Sequence, residues 1–202
     1  MPGRRHTNDS VPLVPPPAPD SVWVLRIPKT GSGTLVRACG PLTRTMLSHS
    51  ESLSDVVTRS GGNPGVIVAS VRHPVDRFRS AFDMYNRQGE MESHGFRRVE
   101  DFVAAGPGEW NQPYWGSAFW RQTYWLQSPE VVRRYGVNVF HTPQMSEQLR
   151  VLKTHGWRLL DPDSHGNRHD AGASRSLFTD STGAVREWYA DDLRLLEGLG
   201  YE

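Results

Sequence analysis

The chain has one cysteine and no long apolar run, and these two absences limit its class. A single thiol, Cys39, excludes an internal disulfide, so nothing in the sequence requires an oxidising compartment. No stretch of about 18 apolar residues is present that would span a membrane. A formal net charge of +1 gives no field of one sign to attract nucleic acid or an anionic membrane. We therefore expect neither a membrane span nor a nucleic-acid partner.

Proline is unevenly distributed along the chain. Residues 1–20 hold six of the fifteen prolines among polar residues, a composition typical of a disordered tail. This tail has no apolar segment like that of a signal peptide, so we expect a cytoplasmic protein. The remaining residues, 21–202, are enough for one domain with its own hydrophobic core.

Short β-branched runs alternate with segments of helical spacing. Strands are predicted at 22–27, 66–71 and 137–141, with a possible fourth near 44–48. Helices are predicted at 33–39, 75–87, 97–104, 115–126, 144–154 and 183–198. The alternation predicts an α/β fold, a single P-loop-like domain of three layers with helices on both faces of a central parallel sheet.

The first predicted strand leads into a loop of small residues, Pro28-Lys29-Thr30-Gly31-Ser32-Gly33-Thr34. A turn from strand to helix of this kind directs backbone N–H groups at an anion, and its glycines let a phosphate approach the backbone. The hydroxyls and the lysine add donors. An ATP-binding loop has its lysine after the glycines, as Gly-Lys-Ser/Thr, and the chain contains no such triplet. We predict a phosphate site here, and an ordinary Gly-rich turn is the alternative.

A second segment of the same kind follows the strand 66–71. It reads Arg72-His73-Pro74-Val75-Asp76-Arg77-Phe78-Arg79-Ser80, which places Arg72 at the tip of the strand and Ser80 two turns into the next helix. Ligands of open α/β sheets bind at the carboxyl ends of the strands, and an arginine fork with a nearby hydroxyl suits a second phosphate. The alternative is a surface pair between Arg72 and Asp76. For an anionic ligand, the positive charge is expected from Lys29, Arg72, Arg77 and Arg79.

Together the two segments resemble the cofactor site of sulfotransferases that use 3′-phosphoadenosine 5′-phosphosulfate (PAPS). In that family, a Pro-Lys-Thr-Gly loop holds the 5′-phosphosulfate, and a strand ending Arg-x-Pro-x-x-Arg-x-x-Ser holds the 3′-phosphate. The resemblance covers residues 22–85 and is greatest to carbohydrate O-sulfotransferases, such as the heparan sulfate 2-O- and 6-O-enzymes. It departs at His73, where the family usually has Asp.

The resemblance implies an enzyme that moves a sulfuryl group from PAPS to a hydroxyl, expected to be on a carbohydrate. Lys29 is implied as a catalytic residue that neutralises the leaving phosphate, and no metal is expected. Animal members of the family are usually anchored in the Golgi, which would apply here only if an anchor had been removed. The implied cofactor-binding residues are Lys29, Thr30, Gly31, Ser32, Gly33, Thr34, Arg72 and Ser80.

The acceptor hydroxyl must lose a proton, so a general base is required. His49 is the leading candidate because it lies between the two segments, in a stretch loosely similar to the Gly-His-x-x-x-Leu of the 2-O-enzymes. An unperturbed histidine is mostly neutral at physiological pH. Glu51 is the rival, since some sulfotransferases use a carboxylate. A third interpretation places both residues on a polar surface loop without function.

Two further segments have open interpretations. His165 and His169 suggest a metal, but their polar, Gly-containing surroundings favour a mobile loop at 163–176 that could close over the nucleotide through Asn167, Arg168 and Arg175. The aromatic segment 110–125 is mostly core, although Trp120, Arg121 and Gln122 could meet an acceptor. A structural role is favoured for His141.

Two functional classes remain as alternatives to the sulfotransferase. One is a kinase-like phosphotransferase on the same kind of fold, which would need a hydroxyl and an acidic partner for Mg²⁺. The other is a non-catalytic nucleotide-binding module. The sequence does not specify the acceptor or the oligomeric state.

Overall fold

The computed structural model describes residues 19–161 and 182–201, with the backbone alone for residues 44–46. The predicted tail at 1–20 lies almost entirely outside these residues. The predicted loop at 163–176, with its two histidines, lies wholly outside them. Throughout the described ranges, every helix is too short or too polar to cross a bilayer.

Four parallel strands form one sheet, which confirms the predicted α/β fold with a parallel sheet flanked by helices. The strands are β1 (Val22–Leu25), β2 (Thr43–Met46), β3 (Val66–Val71) and β4 (Asn138–His141), in the spatial order β2-β1-β3-β4. Leu25 pairs with Ala69, and Val71 pairs with His141. All four carboxyl ends therefore lie along one edge of the sheet, with the segment after β1 between those after β2 and β3.

The described residues form eleven α-helices, most of them short. Those that position the site are α1 (Ser32–Ala38), α2 (Leu53–Arg59) and α3 (Pro74–Arg87). The others are α4 (Glu90–Ser93), α5 (Val99–Ala105), α6 (Pro107–Trp110), α7 (Thr123–Leu126), α8 (Pro129–Arg134), α9 (Met145–Thr154), α10 (Thr182–Trp188) and α11 (Ala190–Gly198). Short 3₁₀ turns cover Gly40–Leu42, Pro113–Trp115 and Thr142–Gln144.

Alternate residues of each strand enter different cores, as the two-residue period of a strand requires. On one face, Trp23 and Leu25 of β1 pack with residues of α2, α7, α8 and α11. On the other face, Val22 and Val24 pack with residues of α1 and α9. Helices thus cover both faces of the sheet. The second face also contains Cys39, whose pKa is raised to about 12 by burial, so its thiol is a packing group of the core.

Helix α3 does not pack on the sheet but enters a separate aromatic core. Its Phe78 ring lies 4.9 Å from Trp110 and 5.1 Å from Phe119, measured between ring centroids. Residues of α5, α6 and α10 complete this core. Because edge-to-face aromatic rings bury large areas with defined geometry, they fix α3 in this core.

The predicted helix at 115–126 is wrong. The segment is a 3₁₀ turn at Pro113–Trp115, an irregular stretch, and α7 over only the last four residues. The carbonyl groups that a helix would use accept hydrogen bonds from buried side chains instead. Tyr85 donates to Trp115, Tyr189 donates to Phe119, and Arg77 donates to the Trp120 carbonyl at 2.6 Å.

The predicted helix at 183–198 is two helices, α10 and α11, separated at Tyr189. Its apolar residues do not all pack on the sheet. Val185 and Tyr189 enter the aromatic core around α3, whereas Leu195 and Leu196 pack on the sheet. The break at Tyr189 allows the two halves to serve different cores.

Candidate functional site

Buried contacts support the loop after β1 on the side that faces the protein interior. Thr30 is fully buried, and its hydroxyl lies 2.8 Å from both the Ile27 carbonyl and the Ser70 hydroxyl. Thr142 donates to the Thr30 carbonyl at 2.6 Å. The side chain of Thr30 therefore supports the loop from inside, and only its backbone N–H remains for the predicted ligand contact.

The upper side of the loop is open. A Cβ on Gly31, which has φ 81°, would lie 3.1 Å from Cε of Met145, whereas a Cβ on Gly33 would meet nothing within 4 Å. No described residue accepts a hydrogen bond from the N–H groups of Gly31, Ser32 or Gly33. The loop thus has the space and the unused donors that an anion requires.

Lys29 adopts a backbone conformation that is uncommon for a residue with a side chain. Its φ is 64°, one of two such values at non-glycine residues in the described chain. This conformation costs about 1 kcal/mol for an ordinary L-residue, and such strain is concentrated at functional sites.

Lys29 and Arg72 follow two neighbouring parallel strands, and the charge of Arg72 acts on Lys29. Burial lowers the pKa of Lys29, and the positive charges of Arg87 and Arg72 lower it further. Within the described ranges, neither Lys29 nor Arg72 has an ion-pair partner within 4.0 Å. The predicted alternative, a surface pair of Arg72 with Asp76, is therefore not formed, although Asp76 raises the pKa of Arg72 against the effect of burial.

The backbone of Arg72 is fixed by a side chain from the aromatic segment. Its N–H donates to Oε1 of Gln122 at 3.0 Å, and Nε2 of Gln122 donates to its carbonyl at 2.9 Å. Asp192 in turn accepts from the Gln122 N–H at 2.8 Å. This buried support leaves the Arg72 guanidinium as the group available to a ligand.

Arg87 is a cation of this site that sequence reasoning missed. Ser80, Asp83 and Arg87 recur at the spacing of one helical face, and both Asp83 and Arg87 act electrostatically on Lys29. Arg87 is exposed at the end of α3. The spacing of Arg87 from Ser80 places both residues on one face of α3, and this could be read from the sequence. Only the packing of α3 in the folded chain shows that its last turn lies near the loop.

Arg77 does not contribute to the positive surface, contrary to the prediction. It is fully buried, and its Nε donates to the Pro28 carbonyl at 2.9 Å. Its guanidinium carbon lies 5.5 Å from the centroid of the Trp125 ring, and the charge of Asp192 favours its charged form. Arg77 is thus a structural cation that ties α3 to the loop. Arg79, also predicted as a positive group, is half-buried and lowers the pKa of Arg72.

We expect Arg77→Ala to lower the free energy of unfolding by about 3–5 kcal/mol, because it removes the buried hydrogen bonds to the Pro28 and Trp120 carbonyls and the positive charge that favours the buried Asp192 carboxylate. Arg158→Ala, at an exposed arginine, is the matched control and should change stability by less than about 0.5 kcal/mol. Urea denaturation of both variants measures the difference. Equal stabilities would show that Arg77 does not hold the structure together.

His49 lies on the other side of the loop from Arg72, because β2 and β3 flank β1. Its carbonyl accepts from Nε1 of Trp125 at 2.9 Å, which fixes the backbone. Partial burial, and then the charge of Arg26, lower the pKa of His49. The imidazole is therefore neutral at physiological pH, the form that a general base needs.

Glu51 is engaged locally. Its Oε2 accepts from the Ser48 N–H at 2.5 Å, and its Oε1 lies 2.7 Å from NH1 of Arg59. Both carboxylate oxygens are thus occupied within the same segment. This geometry favours His49 over Glu51 as the proton acceptor.

Removal of Arg26 tests the environment of His49. We expect Arg26→Gln to raise the pKa of His49, since a neighbouring positive charge disfavours the imidazolium. The acidic limb of a pH–rate profile should then move to higher pH. Arg59→Gln, which removes the cation beside Glu51, should leave this limb in place. The reverse pattern would assign the limb to Glu51.

The remaining predicted residues differ in their surroundings. His141 is buried and stacks on Tyr201 at 4.9 Å between ring centroids, but its Nε2 has no hydrogen-bond partner among the described residues. Burial and the nearby His73 lower the pKa of His141. The packing of His141 fits the expected structural role, but a structural histidine would also have a hydrogen-bond partner for Nε2, and none is found among the described residues. The described ranges contain no group of three or more residues suited to a metal ion.

Of the three residues predicted to meet an acceptor, two are engaged elsewhere. Gln122 is buried against Arg72, as described above. Arg121 stacks over Trp188 at 4.1 Å and pairs with Asp191 at 2.9 Å. Trp120 is partly exposed, and its ring lies near Tyr124.

Comparison with known proteins identifies no relative. No family model, no curated protein and no solved structure matches the chain. The functional interpretation therefore depends on the residues and geometry of the site itself.

Proposed function

We propose that the chain is a PAPS-dependent sulfotransferase with a P-loop-like nucleotide site. The observation that carries the proposal is that Lys29 and Arg72 follow neighbouring parallel strands, beside an open glycine-containing loop with unused N–H donors. Asp83 offsets part of the repulsion among these positive charges, and an anion bound between them would offset more of it. PAPS carries anionic groups at two positions, which suits two cationic sites on neighbouring strands.

The proposed contacts follow from the order of the strands. The loop with Lys29, Thr30, Gly31, Ser32, Gly33 and Thr34 receives the 5′-phosphosulfate through backbone N–H groups, hydroxyls and the amine. The guanidinium of Arg72 and the hydroxyl of Ser80 receive the 3′-phosphate. Arg87 lies near Lys29 and adds positive charge on the side of α3. This chain's own groups would supply the charge stabilisation that Mg²⁺ supplies in kinases.

The proposed reaction is an in-line transfer of the sulfuryl group. The acceptor oxygen attacks sulfur while the imidazole of His49 takes the hydroxyl proton. The bond between sulfur and the bridging oxygen breaks, and that oxygen leaves with the electron pair on the 5′-phosphate. Lys29 stabilises the charge that develops there. The products are a sulfate ester and 3′-phosphoadenosine 5′-phosphate (PAP), and the expected acceptor is a carbohydrate.

Calorimetry separates this function from the alternatives. PAP is expected to bind more tightly than ATP with Mg²⁺, and the opposite order would favour the kinase-like phosphotransferase. Transfer from ³⁵S-labelled PAPS to an acceptor then distinguishes the enzyme from a non-catalytic binding module. A protein that neither binds PAP nor transfers the sulfuryl group from PAPS would overturn the proposal.

Arg72 is expected to recognise the 3′-phosphate specifically. Arg72→Ala should weaken PAP binding by about 10- to 100-fold, because hydrogen bonds to a charged group contribute about 1.5–3 kcal/mol. Binding of AMP, which has no 3′-phosphate, should change little. Calorimetry of both ligands with both proteins measures this difference, and Arg72→Lys shows how much depends on the guanidinium fork. An equal loss for PAP and AMP would contradict the assignment.

A further inference from the structure

Two neighbouring aromatic rings, the exposed Tyr124 and the partly buried Trp120, adjoin the segment that contains His49. Tyr124 is 45% exposed, and its ring centroid lies 4.7 Å from that of Trp120 at an interplanar angle of 67°. Trp125 is buried behind both rings, 5.2 Å from Tyr124 and 6.1 Å from Trp120. We call Trp120 and Tyr124 the aromatic platform.

The platform is attached to the two parts of the proposed active site. On one side, the Tyr124 hydroxyl donates to the Ser50 carbonyl at 2.9 Å. The carbonyl of the preceding residue, His49, accepts a hydrogen bond from Nε1 of Trp125. On the other side, the Trp120 carbonyl accepts from NH1 of Arg77 at 2.6 Å, and Nε of Arg77 holds the Pro28 carbonyl. The platform is therefore fixed relative to both the candidate base and the loop for the donor.

We propose that the aromatic platform binds the acceptor, and that it selects a pyranose ring. This inference rests on the proposed function, and it names the acceptor-binding surface that the proposed function does not specify. The C–H face of a sugar ring packs on an aromatic ring while its hydroxyls stay at the edge. One such hydroxyl can then reach His49.

The openness of the platform argues for a sugar over a flat aromatic acceptor. Apolar small molecules are bound in enclosed pockets that remove most of their surface from water. Tyr124 keeps nearly half of its surface in solvent. It adjoins the segment that contains the exposed His49, and the charge of the half-buried Arg26 acts on His49. A hydroxyl-rich ring that contacts protein on one face only suits this surface.

The test compares acceptors and variants with a matched control. The acceptors are methyl β-D-glucopyranoside, the linear alditol glucitol and p-nitrophenol, with ³⁵S-labelled PAPS as donor. Tyr124→Ala removes the ring, whereas Tyr124→Phe keeps the ring and removes the hydrogen bond to Ser50. Tyr114→Ala is the control, because Tyr114 is also 45% exposed but stacks on His94, away from the platform.

We expect the glucopyranoside to be the preferred acceptor. Tyr124→Ala should raise its KM about fivefold or more, as the loss of one aromatic stacking contact predicts, and leave PAP affinity unchanged. Tyr114→Ala should keep KM within about twofold of the starting protein. Tyr124→Phe should raise KM less than Tyr124→Ala does, because it keeps the ring and loses only the hydrogen bond to Ser50. Trp120→Phe should cause a smaller rise than Tyr124→Ala, because it retains an aromatic face.

Three results would overturn the platform. They are preferred transfer to glucitol or p-nitrophenol, PAP binding with no transfer to the pyranoside, and an unchanged pyranoside KM in Tyr124→Ala. In the first of these, the sulfotransferase function stands and only the acceptor surface is wrong. Absence of PAP binding would instead overturn the proposed function.

Discussion

Replacement of Lys29 by asparagine should reduce kcat for sulfuryl transfer by about 10²–10³-fold, the usual effect of removing one preorganised charge donor. The amine is expected to act on the phosphate that leaves, where negative charge develops as the bond to sulfur breaks. Asparagine suits this position because it tolerates the φ of 64° better than other residues do. Loss of activity would then report the missing charge and not a distorted loop.

The sequence offers a simple control for this variant. Lys153 is the other lysine of the chain and lies exposed near the end of α9. Lys153→Ala should retain full activity. PAP should also bind more weakly to Lys29→Asn, since the loop holds the 5′-phosphate in the product complex as well. A Lys29→Asn protein with unchanged kcat and PAP affinity would exclude this loop from the reaction.

Replacement of His49 by alanine should lower kcat by about 10²–10⁴-fold, the range for loss of a general base. PAP affinity should stay unchanged, because His49 lies on the opposite side of β1 from Arg72. The backbone contact to Trp125 uses the His49 carbonyl, so the substitution keeps that hydrogen bond. Steady-state kinetics and calorimetry on the same protein measure both quantities.

Two controls sharpen this result. His155→Ala removes an exposed histidine at the end of α9 and should have no effect on kcat. Glu51→Gln should lower kcat far less than His49→Ala, although it disturbs the contacts to Ser48 and Arg59. Added imidazole should restore part of the activity of His49→Ala. Full activity in His49→Ala with a loss in Glu51→Gln would make Glu51 the base.

The sheet could be predicted from the sequence because its signals are local. The β-branched run at 66–71 is a strand over the same residues, and the loop after β1 turns at Gly31, as well as at Lys29. The placement of Lys29 and Arg72 after neighbouring strands also follows from local patterns, since parallel neighbouring strands end at one edge. These are the features on which the proposed function depends.

Features that depend on tertiary contacts could not be predicted. The segment 115–126 has helical spacing, but its carbonyls are taken by Tyr85, Tyr189 and Arg77 from distant parts of the chain. Arg77 carries the same charge as Arg72, and only the packed structure shows that it is buried against Pro28. Local propensity yields to such contacts when they bury polar groups with their partners.

The position of Arg87 also depends on tertiary contacts. Nothing in the local sequence indicates that α3 packs against aromatic rings rather than the sheet. This packing carries its last turn toward Lys29. Tyr124 is similar, because its place beside His49 depends on a hydrogen bond across 74 positions of the chain.

A crystal structure of the protein with bound PAP would decide whether one nucleotide joins the two strand ends. We expect its 5′-phosphate in the loop within hydrogen-bond distance of Lys29, and its 3′-phosphate on the guanidinium of Arg72 and the hydroxyl of Ser80. A nucleotide bound at another surface, or one with its 3′-phosphate away from Arg72, would contradict this arrangement and the function inferred from it.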